Sequence, residues 1–509
     1  MTLARTSSVA VVGIEGQLVE IQADLADGLP GVTMIGLPDA ALQEARDRIR
    51  AAIVNSGESW PTRRMTLALL PATLPKRGSM FDVALAVAVL AAAGAVPAEP
   101  LADVVLLGEL GLDGRLRPTR GTLPAVVAAS RAGMRRVLVP AANLTEASLV
   151  PGVDVRGVAA LADLLGFLRG EPDRISARPA SRRRRRQERP APDLRDVVGQ
   201  AMGRRAVEIA AAGGHHLLFA GPPGSGKTML AERLPGVLPP LRIDEALEVS
   251  AVHSVAGLLP ADSPLVRRPP YQAPHHTAST AALVGGGSVH ARPGAASLSH
   301  RGVLFLDEAP EFQSGVLDAL RQPLESGEVA IARSGGVARY PARFQLVLAA
   351  NPCPCAAPAG EAECRCTSTA KRRYFGRISG PLLDRVDLQV WLQPVSPADL
   401  LGGRSEPEPS APVAARVLSA RSAAAERLRG TGWRINADVP GPALRTRWRL
   451  PASVTGGADL RLDRGELSAR GYDRVLRIAW SIADLAGSDR PSATDVDEAV
   501  QLRSRWVAT

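Results

Sequence analysis

At 509 residues the chain is too long for one ordinary hydrophobic core, so two to four domains are expected. The formal net charge of +10 favours an anionic partner, with nucleic acid ahead of anionic lipid, although five consecutive arginines, 182–186, supply part of it. The first residues lack an apolar core of signal-peptide length, and the most apolar run, 83–96, is too short to span a bilayer and predicts a buried helix. We therefore expect a cytoplasmic protein with no membrane partner.

Composition divides the chain into four segments. Residues 1–168 alternate strand-like runs with Ala-rich helical runs, which is typical of an α/β segment. Residues 169–192 carry Arg, Pro and Ser without an apolar period, which predicts a linker. Residues 193–395 are rich in strands and turns, and residues 396–509 show helical apolar spacing. The sequence therefore predicts an α/β fold class, with two α/β domains joined by a linker and followed by a helical domain.

The segment 215–234 has the order strand, glycine-rich loop, helix. Glycines let backbone N–H groups surround the β- and γ-phosphates of a nucleotide, helped by the N-terminus of the following helix. Lys227 is expected to reach those phosphates and the Thr228 hydroxyl to bind Mg²⁺. A turn without a ligand is the alternative, which the strand and helix on either side disfavour. The predicted ATP-binding residues are Gly221, Pro222, Pro223, Gly224, Ser225, Gly226, Lys227 and Thr228.

Further along the chain, the apolar strand 302–306 ends in the two carboxylates Asp307 and Glu308. Asp307 is expected to hold Mg²⁺ through water, and Glu308 to orient and deprotonate the attacking water. An acidic strand end is common by itself. After a phosphate-binding loop it predicts hydrolysis of ATP as well as binding.

All four cysteines of the chain fall within the fourteen residues 353–366. Four thiolates can hold one structural Zn²⁺ and leave no open position for catalysis. The Cys-x-Cys spacing departs from the usual separation of zinc ligands, so a redox switch stays open as the alternative. The histidines 275, 276 and 290 are expected in core or loop roles. The candidate zinc ligands are Cys353, Cys355, Cys364 and Cys366.

Several further segments resemble AAA+ ATPases. Residues 196–200 are similar to the segment that precedes the phosphate loop there, and the strand 344–350 ends at Asn351, similar to the polar sensor-1 residue. Residues 382–387 resemble the arginine-finger segment, and 468–470 resemble the sensor-2 helix start. The closer resemblance is to the magnesium-chelatase-like ComM/YifB family, through 271–287, 291–308, the cysteine cluster and 466–485.

This resemblance implies a central AAA+ core, a C-terminal helical lid and a homo-hexameric ring with ATP and Mg²⁺ between subunits. Asn351 and Arg470 would then sense the nucleotide, and Arg385 would act on the γ-phosphate bound by the neighbouring subunit. A surface position is the alternative for Arg385, and a solvated helix face is the alternative for Arg470.

Residues 327–344 contain two short β-runs around Ser334-Gly335-Gly336, which predicts a hairpin. In helicase-type members of the superfamily such hairpins point into the pore. Arg333 and Arg339 flank the turn and are the candidate DNA-phosphate contacts. The alternative is that they only solvate an exposed hairpin.

The N-terminal segments 77–92 and 108–125 resemble the proteolytic domain of Lon, which pairs a serine nucleophile with a lysine base. Ser79 stands where the nucleophile is expected, but Leu123 stands where the lysine is expected. Without a base a hydroxyl stays protonated and weakly nucleophilic. We therefore expect a Lon-like α+β domain without peptidase activity.

The favoured function is an ATP-driven motor on single-stranded or branched DNA, a ComM-like branch-migration helicase acting with recombination proteins on incoming DNA during natural transformation. The branch-migration detail comes only from the resemblance. A protein-remodelling ATPase like the magnesium-chelatase motor subunit is the second hypothesis. The Lon-like segment and the cysteines are not expected in that subunit. An ATP-dependent protease is the third, which Leu123 disfavours.

Overall fold

The computed structural model describes residues 3–36, 40–74, 76, 78–176, 191–260, 263–287, 291–333, 336–356, 364–396 and 407–503. Three features of the sequence predictions lie outside these ranges: most of the predicted linker, including the arginine run 182–186, the histidine His290, and the turn residues Ser334 and Gly335.

The first 168 residues build a seven-stranded mixed sheet in the order β3-β4-β2-β1-β5-β8-β9. β1 and β2 pair antiparallel from Leu3↔Asp24 to Val12↔Glu15, and β5, β8 and β9 are parallel to one another. Along β2 buried and half-buried residues alternate, as expected for a strand with one face on the core. β6 and β7 form a separate two-stranded sheet. The strands of the two sheets are β1 Leu3–Val12, β2 Glu15–Ala26, β3 Gly31–Ile35, β4 Arg64–Leu70, β5 Val104–Leu106, β6 Glu109–Leu110, β7 Leu116–Arg117, β8 Arg136–Pro140 and β9 Asp154–Val158.

Helices cover this sheet on its apolar faces. The predicted buried helix is confirmed as α2, in which every residue is buried, because an apolar run of this length gains most by packing against a sheet. Residues beyond α5 still pack on this segment, since Ile175 is buried and Ser176 exchanges backbone hydrogen bonds with Gly157. The helices are α1 Ala40–Asn55, α2 Asp82–Ala92, α3 Thr122–Arg131, α4 Leu144–Ala147 and α5 Leu161–Leu168.

The central segment contains a five-stranded, fully parallel sheet in the order β11-β14-β17-β10-β18. Its inner strands are completely buried, as expected for a parallel sheet covered on both faces. A separate antiparallel hairpin is formed by β15 and β16, which confirms the predicted hairpin. The strands are β10 Leu217–Ala220, β11 Tyr271–Gln272, β12 Gly285–Gly286, β13 Arg292–Pro293, β14 Val303–Leu306, β15 Glu328–Arg333, β16 Gly336–Pro341, β17 Gln345–Ala350 and β18 Leu388–Trp391.

The helices of the central segment flank the sheet and connect its parallel strands. They are α6 Ala201–Gly213, α7 Lys227–Val237, α8 Ile243–Ala256, α9 Thr280–Val284, α10 Ala295–Leu298, α11 Ser314–Asp318, α12 Arg321–Ser326, α13 Ser368–Phe375 and α14 Gly380–Leu383.

The C-terminal residues are helical, as their apolar spacing predicts. One hydrophobic core joins the central sheet and these helices, because Phe219 of β10 and Val475 of the fourth C-terminal helix belong to the same cluster. None of the helices in the described part of the chain is long and apolar enough to cross a membrane. The C-terminal helices are α15 Ser410–Arg427, α16 Gly441–Arg445, α17 Ala452–Asp463, α18 Ala469–Ala486 and α19 Ala493–Gln501.

A buried polar network fastens α18 to the central sheet. Asp387, just before β18, accepts a hydrogen bond from the Arg474 guanidinium and one from the His216 backbone N–H at 3.0 Å. Burial raises the pKa of Asp387, but the charge of Arg474 together with the hydrogen bond and charges of His215 and His216 outweighs burial and holds that pKa well below its usual range. Arg474 also donates to the carbonyl oxygen of Arg385 at 3.2 Å. The network therefore fixes the backbone of the predicted arginine finger.

The N-terminal segment contacts the central segment at two places. Gly121 donates its N–H to the carbonyl of Ser254 at the end of α8 at 3.2 Å. At the β1–β2 turn, Gly13 has a φ of +66°, and a Cβ built there would lie 2.4 Å from the carbonyl oxygen of Arg339 in β16. Only glycine fits this turn, so the sheet of the N-terminal segment rests directly on the hairpin.

Candidate functional site

The predicted phosphate loop lies between the end of β10 and the start of α7. Gly224 and Gly226 have φ angles of +75° and +83°, which glycine adopts without strain. The loop is anchored at its start, where the Gly221 N–H donates to the Ala350 carbonyl of β17 at 3.2 Å. The chain therefore reverses into a cradle at the N-terminus of α7, where the helix dipole favours an anion.

Lys227 is buried in this cradle with 7% of its surface exposed. Its ammonium donates to the carbonyl oxygens of Gly221 at 2.7 Å and Pro222 at 2.8 Å. Burial lowers the pKa of Lys227 to about 8, while Asp307 and Glu308 act in the opposite direction. Apart from a long contact of 3.5 Å to the Ser225 hydroxyl, its hydrogen bonds go to backbone carbonyls. A buried ammonium in this setting fits a polyphosphate, because the phosphate charge would replace the hydration that the lysine has lost.

Thr228 and Asp307 meet directly although they lie far apart in sequence. The Thr228 hydroxyl donates to Asp307 Oδ2 at 2.7 Å, and Asp307 Oδ1 accepts the Glu308 backbone N–H at 2.9 Å. Hydroxyl and carboxylate oxygens are the ligands that Mg²⁺ takes alongside substrate phosphates. The two residues therefore fit the predicted magnesium role.

Glu308 has φ +50° and ψ +44°, a left-handed conformation that is uncommon for a residue with a side chain. Its carboxylate Oε2 lies 3.0 Å from Nδ1 of His276, which follows β11. The His276 ring also lies 4.1 Å from the His275 ring, centroid to centroid, and presents an edge to Phe312. Sequence reasoning assigned His276 a core or loop role and missed this contact. No local signal in the sequence could have found it, because His276 comes near Glu308 through the pairing of β11 with β14.

Asn351 lies between the phosphate loop and Asp307. Its strand β17 is flanked by β10 on one side and β14 on the other, so the ends of all three strands meet at one edge. The Asn351 N–H donates to the Tyr374 hydroxyl of α13, while burial raises the pKa of that tyrosine. The position suits a residue that contacts the γ-phosphate, and that role stays a prediction.

Arg385 lies at the other end of the sheet. β18 runs parallel to β10, and Arg385 precedes the first residue of β18, whereas the phosphate loop follows the last residue of β10. Arg385 donates instead to the Pro381 carbonyl at 2.8 Å and pairs with Glu325 at 3.0 Å. It borders an open cleft of about 660 Å³ with Arg333 and Arg321. The structure therefore does not bring Arg385 to the phosphate loop of the same chain.

Arg470 is exposed in the first turn of α18, just after Ser468, whose hydroxyl accepts the Gly471 N–H at 3.1 Å and caps the helix. Its sensor role stays a prediction. One turn later Arg474 makes buried contacts to Asp387 and to the backbone of Arg385. The sequence does not indicate them, because no neighbouring residue distinguishes Arg474 from Arg470.

Both predicted DNA-contact arginines are exposed on the hairpin. Arg339 in β16 pairs with Glu328, the residue opposite Pro341 in β15. Arg333 donates to the Gly287 carbonyl at 3.0 Å and carries no acidic partner among the ion pairs of the described residues. Of the two arginines, Arg333 is therefore the better candidate for a contact to a phosphate, because no carboxylate among the described residues neutralises its charge.

The four cysteines converge. All four Sγ atoms lie within 4.8 Å of one another, and the thiols are free rather than bridged. Burial and the neighbouring thiols raise the pKa of Cys353 to about 12. Four sulfurs at this spacing fit a single thiophilic cation in their donor type and number.

In the N-terminal segment the Ser79 hydroxyl donates to Glu109, and Leu123 is fully buried in apolar surroundings. Lys76, three residues before Ser79, is also buried, and its ammonium donates to the Pro71 carbonyl. Burial lowers the pKa of Lys76. Sequence analysis named neither Lys76 nor Glu109, because they do not stand where the Lon resemblance expects the base.

Comparison with known proteins matches three family models to successive parts of the chain. The family model described as magnesium chelatase, subunit ChlI, matches residues 193–400, a second described as subunit ChlI of Mg-chelatase matches 21–143, and the ChlI C-terminal model matches 407–503. A partial similarity to the Lon protease of Mycolicibacterium smegmatis, 26% identical, covers 31% of this chain and 22% of that protein.

Three relatives match along nearly their whole length. A Mycobacterium tuberculosis protein is 57% identical over 506 residues, which is 99% of each chain. YifB of Escherichia coli is 40% identical and the competence protein ComM of Haemophilus influenzae 39% identical, each covering 99% of this chain and 97% or 98% of the relative. With the parallel sheet and the phosphate loop, this similarity shows that the chain belongs to the magnesium-chelatase-like ComM/YifB family of AAA+-type ATPases.

Proposed function

We propose that this chain is an ATP-hydrolysing motor that assembles as a homo-hexameric ring in the cytoplasm and moves on single-stranded or branched DNA. The observation that carries the proposal is the division of the site between the two ends of one sheet. Lys227, Thr228, Asp307 and Glu308 meet at one end, and Arg385 lies at the other. A ring in which one subunit offers Arg385 to the next would complete the site.

ATP bound at the loop would supply the γ-phosphoryl group, and Mg²⁺ would neutralise charge that develops on its oxygens. The loop N–H groups and the Lys227 ammonium bind the phosphates and exclude water from them. Asp307 orients the Thr228 hydroxyl by accepting a hydrogen bond from it. Glu308 is the general base for the attacking water, and His276 positions its carboxylate through the contact of 3.0 Å.

Arginine supplied by a neighbouring subunit accelerates such reactions by about 10³–10⁵-fold. In the single chain Arg385 is held by Glu325, whose side chain is mostly exposed. Arg385 itself is mostly buried, but its partner is open to water, which screens the pair, so a neighbour's phosphate would compete with Glu325 for the guanidinium. The hydrolytic rate is therefore expected to depend on protein concentration until rings are complete.

The DNA assignment rests on charge and on the hairpin. The net charge of +10 favours a polyanion, and the β15–β16 hairpin exposes Arg333 next to its turn. One relative carries the name competence protein, which favours a role in recombination of incoming DNA during natural transformation, with branch migration as the activity and recombination proteins as partners.

A protein-remodelling ATPase is the second candidate, because all three matching family models carry the name of the magnesium chelatase subunit. The model that matches residues 21–143 carries that name too. The N-terminal segment therefore does not count against this candidate, contrary to the expectation from sequence.

The test is ATP turnover with and without single-stranded and forked DNA, together with DNA binding as a function of salt. Removing Arg333 and Arg339 together should lower DNA stimulation and reduce the salt slope by about 0.7 for each DNA phosphate that the variant no longer binds. The matched control is Arg174→Ala with Arg429→Ala. Both are exposed arginines that pair with a glutamate, as Arg339 does with Glu328, but neither lies on the hairpin. Turnover unaffected by DNA and binding insensitive to salt would refute the DNA motor and favour protein remodelling.

A further inference from the structure

The segment that follows Asn351 brings the four cysteine sulfurs into one tight cluster. Cys353 Sγ lies 3.1 Å from Cys355 Sγ and 3.4 Å from Cys364 Sγ, and Cys355 Sγ lies 3.7 Å from Cys364 Sγ. A disulfide requires about 2.05 Å between sulfurs, whereas a tetrahedral site with Zn–S bonds of about 2.3 Å requires sulfurs about 3.8 Å apart. The observed separations fit ligands of one ion and not bridged thiols.

The cluster ties together two stretches of chain that both lead to the nucleotide site, the end of β17 and the start of α13. Cys353 is buried and lies two residues after Asn351, at the end of the central strand β17. Cys366 lies two residues before α13, which carries Tyr374, whose hydroxyl accepts the Asn351 N–H. Just beyond α13, Arg377 donates to the Pro310 carbonyl at 3.1 Å, two residues after Glu308.

We propose that Cys353, Cys355, Cys364 and Cys366 bind one Zn²⁺ that holds Asn351 and α13 in place, so that metal loading sets the rate of ATP hydrolysis and not the affinity for ATP. Asn351 and the residues after Glu308 share the support of α13. The phosphate loop is anchored instead on the Ala350 carbonyl inside the buried strand β17, which the other strands of the sheet hold on both sides. The inference concerns how the metal acts and rests on ATP hydrolysis by the proposed site.

The chemistry of the donor set specifies the metal. Four thiolates without oxygen or nitrogen ligands select a soft or borderline cation over Mg²⁺ or Ca²⁺, and a closed four-sulfur set is the arrangement of structural zinc. Such a centre carries two negative charges. Basic residues lie close to it in the sequence: Arg365 stands between two of the cysteines, and Lys371, Arg372 and Arg373 follow the last one. The ion needs no contact with ATP, because it acts through the backbone between Cys353 and Asn351.

The first experiment measures metal in the full-length protein after dialysis against a weak chelator. One zinc per chain is expected, and Co²⁺ exchanged into the site should show the visible absorption of tetrahedral thiolate coordination. Cys355→Ser with Cys364→Ser should lose both signals. Arg365→Ala, which changes an exposed residue between two of the proposed ligands, should keep them. Less than a tenth of an equivalent of metal in the wild-type protein, with no cobalt absorption, overturns the proposal.

The second experiment separates hydrolysis from binding. The double serine variant should bind a fluorescent ATP analogue with an affinity within about threefold of wild type, while its turnover falls by about 10²-fold, since misplacement by about 1 Å costs that much. Asn351→Ala should lower turnover similarly, and its effect should nearly vanish in the serine variant, because the two changes act on one element. Fully additive effects would show that the metal does not act through Asn351.

Removing the metal from folded wild-type protein with a strong chelator, then restoring Zn²⁺, covers the case in which the serine variant does not fold. Turnover should fall and recover while ATP affinity stays constant, and unchanged turnover in the metal-free protein contradicts the inference. If the metal-loaded protein hydrolyses no ATP, the proposed function fails, while metal stoichiometry and the cobalt spectrum still decide whether the cysteines form the site.

Discussion

The buried state of Lys227 predicts a pH dependence of ATP binding. Burial lowers the pKa of this lysine to about 8, so in the free protein its charge is lost as the pH rises through that value. Phosphate favours the charged lysine, which raises its pKa in the complex, so binding is strongest below about pH 8 and weakens above it. The affinity for ATP should fall by about tenfold between pH 7 and pH 9, whereas a lysine with the ordinary pKa of about 10.4 would give almost no change.

The measurement is equilibrium binding of a fluorescent ATP analogue at saturating Mg²⁺ and constant ionic strength, in a Glu308→Gln background that prevents turnover. The Glu308 charge raises the pKa of Lys227, so its removal lowers that pKa further. The affinity for ATP should therefore still fall as the pH rises. Phosphate groups are mostly ionised by about pH 7 and therefore contribute little above it.

Lys227→Arg is the matched control, because a guanidinium stays charged across this range. Its affinity should be weaker but independent of pH. An affinity of the lysine protein that changes less than about twofold from pH 7 to pH 9 would refute the reasoning, as would an equal fall in the arginine variant.

Three other changes test separate parts of the structure. Glu308→Gln should bind ATP normally and turn it over about 10²–10⁴-fold more slowly, as measured by phosphate release, and full turnover would remove Glu308 as the base. Gly13→Val should lower the unfolding temperature and the DNA stimulation of turnover by separating the β1–β2 turn from the hairpin, whereas Gly57→Val, also at positive φ but with open space around it, should not lower DNA stimulation. Arg474→Met leaves Asp387 buried without its arginine, although the His216 N–H remains, and should cost about 3–5 kcal/mol of unfolding free energy near pH 7. In the intact protein the pKa of Asp387 is low, whereas in the variant the carboxyl takes up a proton on acidification. The loss of unfolding free energy should therefore shrink by about 1.4 kcal/mol per pH unit as the pH falls. A loss that chemical denaturation shows to be independent of pH would contradict this reasoning.

Local patterns in the sequence were sufficient for the elements that carry the chemistry. The loop 221–228 requires glycines between a strand and a helix, and the carboxylates 307–308 end an apolar strand, so both motifs are contiguous and their structures follow from adjacent residues. The hairpin of β15 and β16 and the buried helix α2 follow from alternation and from an uninterrupted apolar run in the same way.

The tertiary structure decided which of these residues meet. The strand order places β17 between β10 and β14, and this alone brings Asn351 next to the loop and Asp307 to Thr228. It also brings His276 to Glu308 and separates Arg385 from the phosphate loop, although no spacing in the sequence specifies the order of parallel strands. The sequence by itself therefore determined an ATP-binding loop with a hydrolytic carboxylate. Only the packing of distant strands put that loop and Arg385 at opposite ends of one sheet, because the order of parallel strands is set by contacts between residues far apart in the sequence. From this separation we propose a site shared with a second copy of the chain.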